Sequence, residues 1–261
     1  MESRNPVFSS RGATGRQAWG APPPSPEQLH QMYNAPAYAP PASRPMTIDD
    51  VVVRGFITLG TLVVSGAVAW ALNLGVGIAI VAVIIGVVLA LVVQFRQSVN
   101  PGLILGFSVA YGVAVGIISH AYESLYSGVV FQAVVGTALA FGAMLAVHAL
   151  KIIRVTPRFT RFVIGAGFAL VGLMVVNLLA SFFIADGIGI RSGGALAYVF
   201  SIIAILVGCF FLLLDFHAIE QGVRAGVPEK YSWLMAFGLT LTLVWIYLEI
   251  LRFISYFASS D

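Results

Sequence analysis

Residues 55–95 read GFITLGTLVVSGAVAWALNLGVGIAIVAVIIGVVLALVVQF, 41 residues without Asp, Glu, Lys or Arg. A helix rises ~1.5 Å per residue and the hydrocarbon core of a bilayer is ~30 Å thick, so about 20 apolar residues suffice to cross it. The stretch is therefore too long for one span and long enough for two. Its natural break is Asn73-Leu74-Gly75, where a polar turn former and a flexible residue stand together. Working outward, further uncharged stretches run 97–122, 124–150, 162–185, 192–214 and 231–248. The pattern predicts seven spans, near 52–72, 75–95, 101–120, 128–149, 161–184, 195–214 and 231–256. Runs of this length predict helices, since barrel strands alternate in units of about ten residues. Thr47-Ile48-Asp49-Asp50 supplies a cap and two acids for the start of the first helix.

Composition excludes the main alternatives. The 261 residues are 59% hydrophobic and 10% charged, with a mean hydropathy of +0.94. A soluble domain carries about a quarter charged residues, so an ordinary cytosolic enzyme is ruled out and the apolar excess must face a lipid bilayer. The net charge of +3 comes with no dense basic cluster and no zinc spacing, which argues against nucleic acid. Cys209 is the single cysteine, so no intramolecular disulfide framework exists. No metalloprotease, phosphate-loop, nucleophile-elbow or paired-cysteine motif occurs, and no enzyme or resident cofactor is expected. His120, at the outer end of the third span, and His148, at the inner end of the fourth, fall on opposite sides of the membrane and cannot share a metal.

Residues 1–45 differ from the rest. Nine of the twelve prolines lie there, among few aliphatic residues, which predicts a disordered leader with polyproline stretches around Pro22–Pro26. Tyr33 and Tyr38 among these prolines would suit docking of a cytoplasmic protein partner; a solvated leader is the simpler reading. If the leader is inside, inner segments carry twelve basic residues, including Arg54, Arg96, Lys151, Arg154, Arg158, Arg161, Arg224 and Lys230. The outer side carries two, Arg191 and Arg252. The positive-inside rule therefore predicts a cytoplasmic N-terminus.

Ionisable groups at membrane depth are costly and mark pathways or pairs. Two acids qualify: Asp215, after Leu212-Leu213-Leu214, and Glu249, within Trp245-Ile246-Tyr247-Leu248-Glu249-Ile250-Leu251. Gly238, Thr242, Trp245, Glu249 and Arg252 recur at intervals of four, three, four and three, giving the last helix one polar face. A structural pair between Glu249 and Arg252 at i+3 is the plain alternative to a pathway role. Asp215 is expected at the end of the sixth span, and Arg96, closing the second at similar depth, is its candidate partner. Arg96 as a snorkelling anchor is the stronger reading of the residues alone. Glu220 and Glu229 with Arg224 and Lys230 form a mixed-charge loop. On the third span, Gly102/Gly106 and Gly112/Gly116 suit close helix contact, within the bundle or at a dimer seam.

The last two spans resemble the Bax-inhibitor superfamily. Leu212-Leu213-Leu214-Asp215-Phe216-His217-Ala218-Ile219-Glu220 is followed by a short polar loop and a long span ending Tyr247-Leu248-Glu249-Ile250-Leu251-Arg252-Phe253; Asn5-Pro6-Val7-Phe8 adds to the likeness. The nearest resemblance is to the bacterial YccA-like branch, over residues 46–258. It implies an all-α membrane protein of the bacterial inner membrane, with six helices around a central seventh. It also implies a pH-sensitive calcium leak, in which two acids on the last two spans share a proton and an arginine on the second span latches them. Asp215 and Arg96 match the first acid and the arginine. The second acid falls at Thr242, with Glu249 two turns further along, about 10 Å at 1.5 Å per residue. Three functions compete. The first is a calcium or other cation leak gated at Asp215, Glu249 and Arg96, with Thr242 and Glu220 accessory and the two carboxylates as transient calcium ligands. The second is a non-transporting regulator that binds a partner such as a membrane-anchored protease. The third, a small-metabolite transporter, ranks last for want of repeated hydropathy units.

Overall fold

The computed structural model describes residues 25–26, 44–184 and 187–258. The leader reading falls almost wholly outside them. In the body that begins at Ser43, seven helices are long and apolar enough to cross a membrane. They are α1 (Ile48–Ala71), α2 (Val76–Arg96), α3 (Pro101–Leu125), α4 (Val129–Ala149), α5 (Pro157–Ser181), α6 (Ala195–Arg224) and α7 (Ser232–Ala258), the last preceded by a 3₁₀ turn at Glu229–Tyr231. No strand forms among the described residues; an isolated antiparallel bridge joins Pro45 to Pro228.

Local chemistry sets the helix ends. The Thr47 hydroxyl accepts from the Asp50 N–H while the Asp50 carboxylate accepts from the Thr47 N–H, a closed capping box that starts α1. The long apolar stretch breaks where expected: α1 ends at Ala71, Asn73 turns with φ +49°, and Gly75 caps α2. Asn100 and Thr156 cap α3 and α5, each followed by a proline at the first helical position. The sixth helix departs most from expectation, continuing ten residues past Leu214 to Arg224. A rule that stops a span at the first charge fails here because that charge, Asp215, is accommodated between helices.

Helices in lipid gain little from mutual burial of apolar surface, so close backbone contact and polar bridges organise the bundle. Gly112 and Gly116 serve the α1–α3 crossing: a Cβ on Gly116 would lie 2.2 Å from the Gly66 carbonyl oxygen, and one on Gly112 2.3 Å from that of Leu62. Gly102 and Gly106 meet nothing so close. The second glycine pair is thus consumed inside the bundle. α7 makes its extended contacts with α1, α3, α4 and α6, while α2 packs chiefly on α3 and α5 on α6. α2 and α5 reach the neighbourhood of α7 through shared clusters, Val93 with Ile104, Phe107 and Phe237, and Leu170 with Phe200, Ala204 and the flanking Trp245. Their remaining surface is apolar and exposed, as Ile84, Val88, Leu91, Phe168, Val176 and Leu179 show. Such a surface suits lipid contact.

The root of the leader, the α6–α7 turn and the ends of α2 and α4 belong to one end of the bundle, called here the leader end. The α1–α2, α3–α4 and α5–α6 connections and the end of α7 belong to the far end.

Candidate functional site

Asp215 sits within α6, nine residues before its last, so about 13 Å from the leader end of that helix. Its Oδ2 accepts a hydrogen bond of 2.7 Å from the Thr242 hydroxyl on α7. Among the described residues Thr242 is its one hydrogen-bond partner, and no cation pairs with it. Beside the other oxygen lies Gly238, one turn before Thr242, where a Cβ would stand 3.5 Å from Oδ1. Leu212, Leu213 and Phe216 flank the acid and are buried. Two residues before Thr242 on α7, the hydroxyls of Thr240 and of Thr58 on α1, both buried, are 2.9 Å apart. The acid therefore lies among helices, at membrane depth, with a hydroxyl and backbone for company. An isolated carboxyl in such a place is expensive to ionise, and groups of this kind build proton relays.

Glu249 occupies a second site two turns further along α7. It is 4% exposed, so it faces the bundle rather than lipid. Its Oε1 receives Arg252 Nη1 at 3.0 Å and Arg191 Nη2 at 3.4 Å. Arg252 is the expected i+3 partner. Arg191 comes from the α5–α6 connection, 58 residues away in the chain. That connection is seated by Asn177, whose Oδ1 accepts from the Ile188 N–H at 3.0 Å, and by Ile190, buried with Leu170 and Phe200. Removal from water, followed by the neighbouring Arg252 charge, makes Arg191 a weaker base than usual, against the pull of Glu249. Two arginines on one carboxylate leave a net positive site. Nearby, Tyr247 and Ser119 share a 2.7 Å hydrogen bond, and Glu123 accepts from the Gly128 and Val130 N–H groups to cap α4.

The structure brings Asp215 to Thr242 and Glu249 to Arg252, but it does not bring the two acids together. Nor does it bring Arg96 to Asp215. Arg96 is exposed at the last turn of α2 and makes no ion pair among the described residues. The physical reason is lateral: α2 packs chiefly on α3 and makes no extended contact with α6, and Arg96 is exposed. Arg96 takes the anchoring position instead. Glu220 lies on the last turns of α6, pairing with Arg224 and, at 3.4 Å, with His148 of α4. Glu229, expected only as part of a mixed-charge loop, binds Arg44 at 2.9 Å and also Arg54. Arg191 and Glu229 were missed as partners because their contacts join residues 58 and more positions apart, which no local spacing reveals. Among the described residues no group of three or more His, Cys, Asp or Glu is placed to hold a metal.

A family model described as Bax inhibitor 1 like matches residues 5–259. No curated protein matches the chain.

Proposed function

The chain belongs to the Bax inhibitor 1-like family as a multi-pass membrane protein, and from that premise we propose that it is a pH-sensitive cation leak, with calcium the favoured ion and Asp215 the gate. The observation that carries this reading is the Asp215–Thr242 pair: a carboxyl inside the bundle, bound by one neutral hydroxyl and neutralised by no cation. In this chain Thr242 stands where the resemblance places a second acid, so one carboxyl takes or releases the proton, with the hydroxyl orienting it. A deprotonated Asp215 offers the hard oxygen ligand that calcium prefers. Binding must also stay weak for an ion to leave, and a single carboxylate beside a hydroxyl meets that need. Glu249 is not free to serve in the same way, because two arginines hold its Oε1.

On this reading the leader is cytoplasmic and the membrane is a bacterial inner membrane. The pairing at Glu249 supports the orientation. The two arginines that lie against the positive-inside rule, Arg191 and Arg252, are both committed to one buried carboxylate, so neither is a free surface charge.

The test is calcium flux into proteoliposomes across an acid-to-neutral pH series, with protein-free liposomes as baseline. Flux that exceeds the baseline and varies with pH is expected. Flux equal to the baseline at every pH rejects the leak and leaves a non-transporting membrane regulator.

A further inference from the structure

We propose that Met46 is a plug, held by the root of the leader, that closes the leader-end approach to Asp215. The inference rests on the reading of Asp215 as part of a pathway. Met46 is 1% exposed although Arg44, Pro45, Thr47 and Ile48 around it are exposed. Its side chain enters a cluster with Val51 of α1 and Ile219 of α6, packed against Val223, Met235 and Leu239. Two of these lead to the site. Ile219 is one turn from Asp215 on α6, and Leu239 is one turn from Thr242 on α7, both on the leader-end side. At the other edge the Met46 methyl sits where Gly222 has no side chain; a Cβ there would be 2.8 Å from Cε. Methionine, unbranched and flexible, suits a removable filler.

The strap that holds the plug is short and specific. The Met46 N–H donates to the Val227 carbonyl at 2.8 Å, and the Glu229 N–H donates to the Arg44 carbonyl at 2.9 Å. The Arg44 side chain forks between Asp50 at 2.7 Å and Glu229 at 2.9 Å. Arg54 binds Glu229 from α1 and lies over the Trp233 ring, 5.4 Å from its centroid. The strap thus ties residues 44–46 to the turn joining the two helices that carry Asp215 and Thr242. The outermost member, Arg44, has a side chain 57% exposed, whereas Asp50, Glu229 and Arg54 are 11%, 30% and 15% exposed; the contacts of Arg44, the residue nearest the leader, are thus the weak ones. The plug is therefore seated by burial and retained by contacts that a pull on the leader can break.

The experiment uses the full chain in membrane vesicles, with Cys209→Ala removing the native thiol and Thr242→Cys placing one beside Asp215. A charged, membrane-impermeant thiol reagent is applied to the leader face. A plug that opens in about 1–10% of molecules gives a rise of about tenfold or more in modification rate when Met46→Ala removes it, while Met46→Leu, which keeps the volume, leaves the rate unchanged. A second reporter, Ser119→Cys near the far end, separates plugging from general loosening. No rise at position 242, or equal rises at 242 and 119 from their respective faces, overturns the plug. Because the readout is modification and not transport, it is decided whether or not Asp215 proves to gate an ion.

Discussion

Asp215→Asn is expected to remove the pH dependence of calcium flux and to bring flux close to the protein-free baseline, while leaving the bundle folded. Asparagine is nearly the same size and keeps an oxygen to accept from Thr242, so the 2.7 Å contact and the packing of Leu212, Leu213 and Phe216 survive. What is lost is the ability to change charge and the anionic oxygen that would attract a cation. A hydrogen bond to a charged group contributes about 1.5–3 kcal/mol, and each ~1.4 kcal/mol is tenfold in an equilibrium. A loss of flux of about ten- to a hundred-fold is therefore expected from the site. Unchanged flux at every pH, with the variant folded, rejects Asp215 as the gate. The measurement is flux in proteoliposomes at matched protein density.

Glu249→Leu has a large expected effect of another kind. The substitution leaves Arg191 and Arg252 facing one another without a counter-charge in a partly buried site, where Glu249 itself is 4% exposed. Breaking a buried ion pair from one side costs about 3–5 kcal/mol, mostly through the charge left behind. The far end of α7 and the α5–α6 connection should loosen together, because Arg191 links them. Adding Arg191→Gln to Glu249→Leu should recover part of the loss, since one of the two stranded charges is then gone. Thermal or denaturant unfolding in detergent micelles checks both statements. A Glu249→Leu variant as stable as the parent would mean that the two arginines find water easily and that the cluster holds nothing together.

The two acids thus have different expected phenotypes although the sequence presents them alike. Both follow apolar runs, and both invite a pathway role. The difference lies in their partners. Glu249 has its i+3 partner in plain view, and the structure adds a second arginine that no local pattern announces. Asp215 looks like the end of a span because charge normally marks the interface. Its hydrogen bond to Thr242 and the nine further residues of α6 instead put it at depth. The expected Arg96 contact fails for a different reason, since α2 packs on α3 and not on α6.

Much of the fold was legible because the membrane imposes a simple rule of length. Runs of uncharged residues located all seven helices, and Asn73-Leu74-Gly75 located the one concealed turn. The Gly112/Gly116 spacing pointed to a close crossing, and only coordinates could show that it is the α1–α3 crossing. The face Gly238, Thr242, Trp245, Glu249 and Arg252 was legible from periodicity, and it does turn toward neighbouring helices. The strap was not legible. Arg44 and Glu229 are 185 positions apart, and Met46, between a Pro-rich segment and a first span expected near 52–72, gives no sign in the sequence of being buried.

The central claim is that Asp215 takes up and releases a proton inside the bundle, beside Thr242. Infrared difference spectroscopy of the full chain in lipid, taken as pH is lowered, tests it most directly. The account predicts a protonated-carboxyl carbonyl band that grows on acidification, is missing in Asp215→Asn, and moves in frequency in Thr242→Val, where the hydrogen-bond donor is gone. Identical spectra for the wild type and Asp215→Asn at every pH would contradict it.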